Sequence, residues 1–194
     1  MIRDRKQMNQ VLLIPGLGGS GIDHWQSQWR NDRPGCRWVL GVDWNLPDKE
    51  LWLNGLNLAI QACDEPPLLV AHSLGCALVV NWALNHKTTP IKGALLVAPP
   101  DLDTPDKVPA EATCFAPMPL KPLPFPATVV TSTNDHYIDV PKAQQFASAW
   151  GADLVNIGAY GHINADSYLG VWNEGWGLLQ DLLKTSDASN ILKA

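Results

Sequence analysis

Six short, mostly apolar runs, separated by stretches of helical periodicity, constrain this chain more than any other feature. The runs lie at 11–14, 37–42, 68–71, 93–98, 127–132 and 153–157. Strands buried on both faces read as continuous apolar runs, and strands alternating with helices build a parallel sheet covered on both sides. The intervening stretches place Trp25 and Trp29, then Trp52, Leu56, Ala59, Ile60 and Cys63, each on one helical face. Ala143, Phe146, Ala147 and Trp150 do the same, as do Trp172, Trp176, Leu179 and Leu183. The segment from Ala77 to Leu84 is apolar nearly all round, which predicts a buried helix. The proline-rich segment 99–126 shows no periodicity and is too short for a domain of its own. With 194 residues, the chain reads as one domain, 1–194, with residues 1–9 and 185–194 frayed.

Composition narrows the classes of function. Apolar residues make up 46% and charged residues 17%, the balance of a globular protein. A net charge of −5 and the lack of a Lys/Arg cluster argue against nucleic acid as a partner. No run approaches the length of a membrane span, and the 11–14 run is too short for the core of a signal peptide. The expected localisation is cytoplasmic. Cys36, Cys63, Cys76 and Cys114 lack C-x-x-C spacing and read as free thiols in a reducing compartment. No His/Cys/Asp/Glu spacing suggests a metal. The glycine-rich loop Pro15-Gly16-Leu17-Gly18-Gly19-Ser20-Gly21 lacks the Lys-Ser/Thr or G-x-G-x-x-G of a phosphate loop, so no cofactor is expected.

Right-handed crossovers bring the carboxyl ends of parallel strands to one edge, where ligands bind. The polar candidates fall there. Gly16 to Gly19 follow the first run, Ser73 the third, Asp135 the fifth and His162 the sixth. Around Ser73 the sequence Ala71-His72-Ser73-Leu74-Gly75 has the layout of a nucleophile elbow, a sharp strand-to-helix turn needing small residues two before and two after the serine. Taken alone, the pattern fits equally a buried strand followed by a helix with Ser73 as N-cap. The chain order Ser, Asp, His favours the elbow, with Ser73 as nucleophile, His162 as base and Asp135 as the acid orienting it. His24, His72 and His136 compete with His162 by position, but His72 points away from a sharp turn and His136 reads as a surface residue. Asp139 reads as a helix N-cap, and Asp166 is too close in sequence to His162 to reach it. Cys76 lies inside the helix after the elbow and reads as inert packing.

On these motifs the chain resembles the small α/β-hydrolases of the YdeN-like family, which includes the retinoblastoma-binding-protein-nine-like serine hydrolases. The resemblance runs from about Val11 to Leu183. It rests on P-G-L-G-G-S with H-W-Q after the first strand, A-H-S-L-G-C at the elbow, and the S-T-N-D and G-H-I-N-A-D turns. It implies a three-layer α/β-hydrolase fold with an about six-stranded parallel sheet, helices on both faces and no separate lid domain. It also implies a triad of Ser73, Asp135 and His162 acting on small esters. In such a site the backbone N–H groups of Leu17 and Leu74 would form the oxyanion hole. Gly16, Gly18, His24, Trp25 and His72 are the candidate substrate-binding residues, with Trp44 beside them; for the two tryptophans core packing is the stronger reading. The expected function is a serine hydrolase working through an acyl-enzyme on a small carboxylic ester. Amide or thioester hydrolysis by the same triad is an alternative, as is a protein-binding module with residual hydrolase activity, since some family members are known for their partners.

Overall fold

The structure, a computed structural model, describes residues 10–191. Six strands form one parallel sheet: β1 (Val11–Ile14), β2 (Cys36–Trp38), β3 (Leu68–His72), β4 (Gly93–Val97), β5 (Ala127–Thr131) and β6 (Asp153–Asn156). Their spatial order is β2-β1-β3-β4-β5-β6. Five helices connect or follow them: α1 (Trp25–Asp32), α2 (Lys49–Gln61), α3 (Leu74–Asn85), α4 (Val140–Trp150) and α5 (Asn173–Ile191). Alternate strand residues face opposite sides of a sheet. Leu12, Ile14, Leu69, Ala71, Leu96 and Val129 therefore pack with α2, α3 and α4. Val11, Leu13, Leu68, Val70, Leu95 and Val130 pack with α1 and α5 on the other side. The expected three-layer architecture is present.

Local signals mark the helix starts. Asp48 accepts from the Leu51 N–H and caps α2, while Asp139 accepts from the Lys142 N–H and caps α4. Three expectations need correction. The second strand is Cys36–Trp38 rather than 37–42, because the chain leaves the sheet edge after Trp38 and turns at Gly41, whose φ is +76°. Trp172 precedes α5 instead of lying in it, although its ring is buried as expected. The last helix continues past Thr185 to Ile191. The expected fraying of residues 1–9 lies outside the described residues, as do residues 192–194.

The segment 99–126 is irregular but tightly packed. It holds 3-10 turns at Pro105–Lys107 and Ala110–Phe115. Leu102, Ala112, Phe115 and Met118 are buried in the core beside α3. Lys107 pairs with Asp101 and Asp139, and Lys142 pairs with Asp101 and Asp103, tying the segment to the start of α4. Among the described residues, no helix is long and apolar enough to cross a membrane.

Candidate active site

The β3–α3 turn is set by close backbone contact. Ser73 has φ 53° and ψ −125°, and its N–H donates to Val97 O at 2.9 Å, anchoring the turn to β4. A Cβ on Gly75 would lie 2.5 Å from both Ile14 O and Pro15 O, so only glycine lets α3 begin against the end of β1. A Cβ on Gly16 would lie 2.8 Å from Ser73 Cβ and 3.2 Å from Leu74 N. The loop after β1 thus presses directly on the elbow. The Ser73 hydroxyl makes no helix-capping bond, which sets aside the capping role.

That hydroxyl instead meets His162, with Ser73 Oγ 2.8 Å from His162 Nε2. On the other side of the ring, Nδ1 lies 2.8 Å from Asp135 Oδ2. The Asp135 side chain is wholly shielded from solvent, and its Oδ1 accepts the Tyr137 N–H at 2.9 Å. A carboxylate only accepts, so the neutral imidazole carries its proton on Nδ1 and leaves Nε2 to accept from the serine. The Tyr137 ring stands edge-on to His162 at 4.4 Å.

Polar side chains of the S-T-N-D turn hold the turn that bears His162. Asn134 Oδ1 accepts from the Gly161 N–H at 2.7 Å and from the Ser132 hydroxyl at 2.9 Å. Ser132 Oγ in turn accepts the Tyr160 N–H at 2.9 Å. Ser132, Asn134 and Tyr137 carry no motif of their own, and the adjacency of S-T-N-D to Asp135 is the signal in the sequence that points to them.

Beside Ser73 opens a cleft of about 280 Å³, lined by Gly16, Leu17, His24, His72, Tyr137 and His162, with Val108, Pro109 and Ala112 as a further wall. The Leu17 and Leu74 N–H groups have no carbonyl partner among the described residues, and Leu74 stands at the α3 N-terminus. Three candidate pocket residues lie elsewhere. Trp25 is core: its ring packs against Trp29 and Trp172, and its Nε1–H donates to Ile163 O at 2.8 Å. Its one-face spacing with Trp29 marks the buried face of α1. Gly18 is not on the cleft wall; its N–H ties the loop to Trp44 O. Trp44 packs edge-on against Trp52 and lines a separate shallow groove.

The rival titratable groups are unsuited to act as the base. His24 caps α1, its Nδ1 accepting the Gln26 N–H, while its buried Nε2 has no hydrogen-bond partner among the described residues. Burial, reinforced by His162, lowers its pKa to about 4. His72 is held well below the ordinary histidine value by burial and by His24 and His162. Its Nε2 meets His162 O at 2.9 Å. His136 and Asp166 are exposed, and Asp139 serves as the α4 cap. Burial pushes the Cys76 thiol well up, which makes it inert. Among the described residues, no three or more His, Cys, Asp or Glu side chains are grouped to hold a metal.

A parallel sheet covered on both faces, with a serine on a strained strand-to-helix turn at its carboxyl edge, defines an α/β-hydrolase. Residues 11–181 match the serine hydrolase family, and the chain belongs to it as a small enzyme of the YdeN-like type. The fold is similar to that of a protein described as a YdeN-like hydrolase from Pectobacterium atrosepticum, with 28% identity, 93% of each chain covered and a TM-score of 0.82. The ydeN gene product of B. subtilis shares 20% identity over 91% of this chain and 100% of its own, with a TM-score of 0.73. Est1E from Butyrivibrio proteoclasticus, seen with ferulic acid bound, shares the fold at 12% identity, covering 93% of this chain and 92% of its own with a TM-score of 0.67. No curated protein matches the chain in sequence.

Proposed function

We propose that this enzyme hydrolyses small carboxylic esters through an acyl-enzyme formed on Ser73. The observation that carries the reading is the unbroken chain of contacts from Ser73 Oγ to His162 to Asp135, each 2.8 Å long. His162 Nε2 takes the hydroxyl proton as Oγ attacks the ester carbonyl. The carbonyl oxygen becomes an oxyanion and accepts from the Leu17 and Leu74 N–H groups, with the α3 dipole adding to the second. Collapse of the tetrahedral intermediate breaks the bond to the alkoxide, which leaves with the proton from His162. A water then repeats the sequence on the acyl-enzyme, releasing the acid and restoring Ser73. Asp135 keeps the productive tautomer and stabilises the imidazolium. His24 contributes part of the cleft wall.

The cleft supports a short acyl group. Its volume of about 280 Å³ lies near the lower end for ligand sites. Its far wall, the segment carrying Val108, Pro109 and Ala112, is pinned to α4 by the Lys107 and Lys142 ion pairs. Each methylene left in water forgoes about 0.8 kcal/mol.

A fluorophosphonate probe should label the enzyme and not Ser73→Ala; label appearing elsewhere in that variant, on Cys76 for example, overturns the assignment. Across p-nitrophenyl esters from acetate to palmitate, kcat/KM should peak at short chains, without a jump when substrate forms an oil–water interface. A steady rise towards palmitate overturns the substrate class. Matched thioesters and anilides should turn over more slowly than the best ester.

A further inference from the structure

The turn that carries His162 is an unfavourable place for a residue that must be held to a fraction of an ångström. It follows an edge strand whose residues are exposed or half-exposed. It has left-handed backbone on both sides of His162, with φ +57° at Gly161 and +52° at Ile163. Ile163 is β-branched, and such residues adopt positive φ only when their surroundings impose it.

Two consecutive carbonyls of this turn are gripped by ring N–H groups from the far side of the site. His162 O accepts from His72 Nε2 at 2.9 Å, and Ile163 O accepts from Trp25 Nε1 at 2.8 Å. The direction of both bonds is fixed, because a carbonyl only accepts and an indole only donates. Burial keeps His72 neutral, with its proton on Nε2. His72 is the last residue of β3 and the neighbour of Ser73. Trp25 is the first residue of α1, and the next residue, Gln26, donates to Ile14 O at the end of β1 and to Val70 O in the middle of β3. The three residues of the H-W-Q motif thus act together. Gln26 pins the start of α1 to the central strands, Trp25 reaches across to Ile163, and His24 stands edge-on against His72 at 4.7 Å.

We infer that His72 and Trp25 are positioning residues: they clamp the His162 turn to the strand that bears the nucleophile, bypassing β4 and β5, and so set the Ser73–His162 distance. The inference rests on the reading of His162 as the base.

Ring-retaining variants separate the clamp from core packing. Trp25→Phe and His72→Phe each delete one donor and keep a ring. Each should lower kcat roughly 10- to 100-fold with KM within about twofold, the cost of a small misplacement of reacting groups. In both, the low-field proton resonance of His162 Nδ1–H should broaden. His72→Gln, which restores an N–H donor, should recover most of the lost kcat. Trp29→Phe is the control: Trp29 is equally buried in the same core, and its Nε1–H donates to Val171 O, away from the His162 turn. Its kcat should stay near that of the parent enzyme. If one Phe variant fails to fold, the other carries the test. The clamp is overturned if kcat in the folded variants stays within twofold of the parent, or if Trp29→Phe loses as much as Trp25→Phe. Activity surviving in His162→Ala overturns the base assignment and the clamp with it. An inactive His162→Ala beside unimpaired Trp25→Phe and His72→Phe overturns the clamp alone.

Discussion

The two halves of the site are built by different physics. Ser73 directly follows β3, a central strand with all five residues buried, and its turn is shaped by backbone contacts at Gly16 and Gly75. His162 follows β6, an edge strand, and its turn is held by hydrogen bonds to the Ser132 and Asn134 side-chain oxygens and from the His72 and Trp25 ring N–H groups. A serine on the turn after a packed central strand is placed by excluded volume. A histidine on an edge loop is placed chiefly by directional bonds. Added volume should therefore damage the first half, and loss of a donor or acceptor the second.

The largest effect tests the first half without touching its packing. Ser73→Ala should lower turnover by at least about 10⁴-fold, while the thermal midpoint stays nearly unchanged because the hydroxyl caps nothing. A large drop in midpoint would show that the hydroxyl, and not the backbone, holds the elbow. In the second half, Asp135→Asn should cost on the order of 10⁴ in kcat by presenting His162 with the wrong partner for its tautomer. Asp139→Asn should leave kcat almost alone, since asparagine caps α4 equally well. Steady-state kinetics on both variants decides between them, and a reversed order would make Asp139 the acid.

Glycine substitutions sharpen the contrast in stability. Gly75→Ala drives a methyl into two carbonyl oxygens and should cost about 3 kcal/mol in urea denaturation, with activity lost alongside. At Gly161 nothing lies within 4 Å of an added Cβ, so Gly161→Ala should cost only about 1 kcal/mol, from its positive φ. Equal costs would erase the distinction drawn between the halves.

A pH-dependent effect arises at the seam, where the His24 and His72 rings meet edge-on between the halves. Both have folded values below the ordinary 6.5, with His24 at about 4. The unfolded chain therefore takes up these protons first. Stability is intact above about pH 6.5 and falls as the pH drops from there towards 4, by on the order of 2 kcal/mol at pH 5 for His24. His72 acts in the same direction. His24→Asn keeps an N-cap and removes the titration, so its unfolding free energy should depend less on pH across this window. A slope equal to the parent's would remove His24 as the source.

Much of this organisation is legible in the chain itself. Apolar runs alternating with one-face helices specify a parallel sheet, and crossover handedness sends the run ends to one edge. Strand direction and crossover handedness alone bring Ser73, Asp135 and His162 to that edge, although the first two stand 62 positions apart in sequence. The A-x-S-x-G pattern reports a steric requirement that acts within five residues, so it too reads locally. Boundaries at the sheet edge do not read this way: the second strand stops at Trp38, where, among the described residues, it has only β1 to pair with. Nor does the direction of Trp25. A tryptophan at one-face spacing fits a core or a pocket wall, and the choice depends on what stands opposite. Only the tertiary structure puts Ile163 O, 138 residues away, in reach of its N–H, and His162 O in reach of His72. Local sequence sets which way a strand ends. The partner of a buried donor is decided by the packing of elements that are strangers in sequence, since a hydrogen bond is satisfied by whatever acceptor the finished fold leaves within about 3 Å.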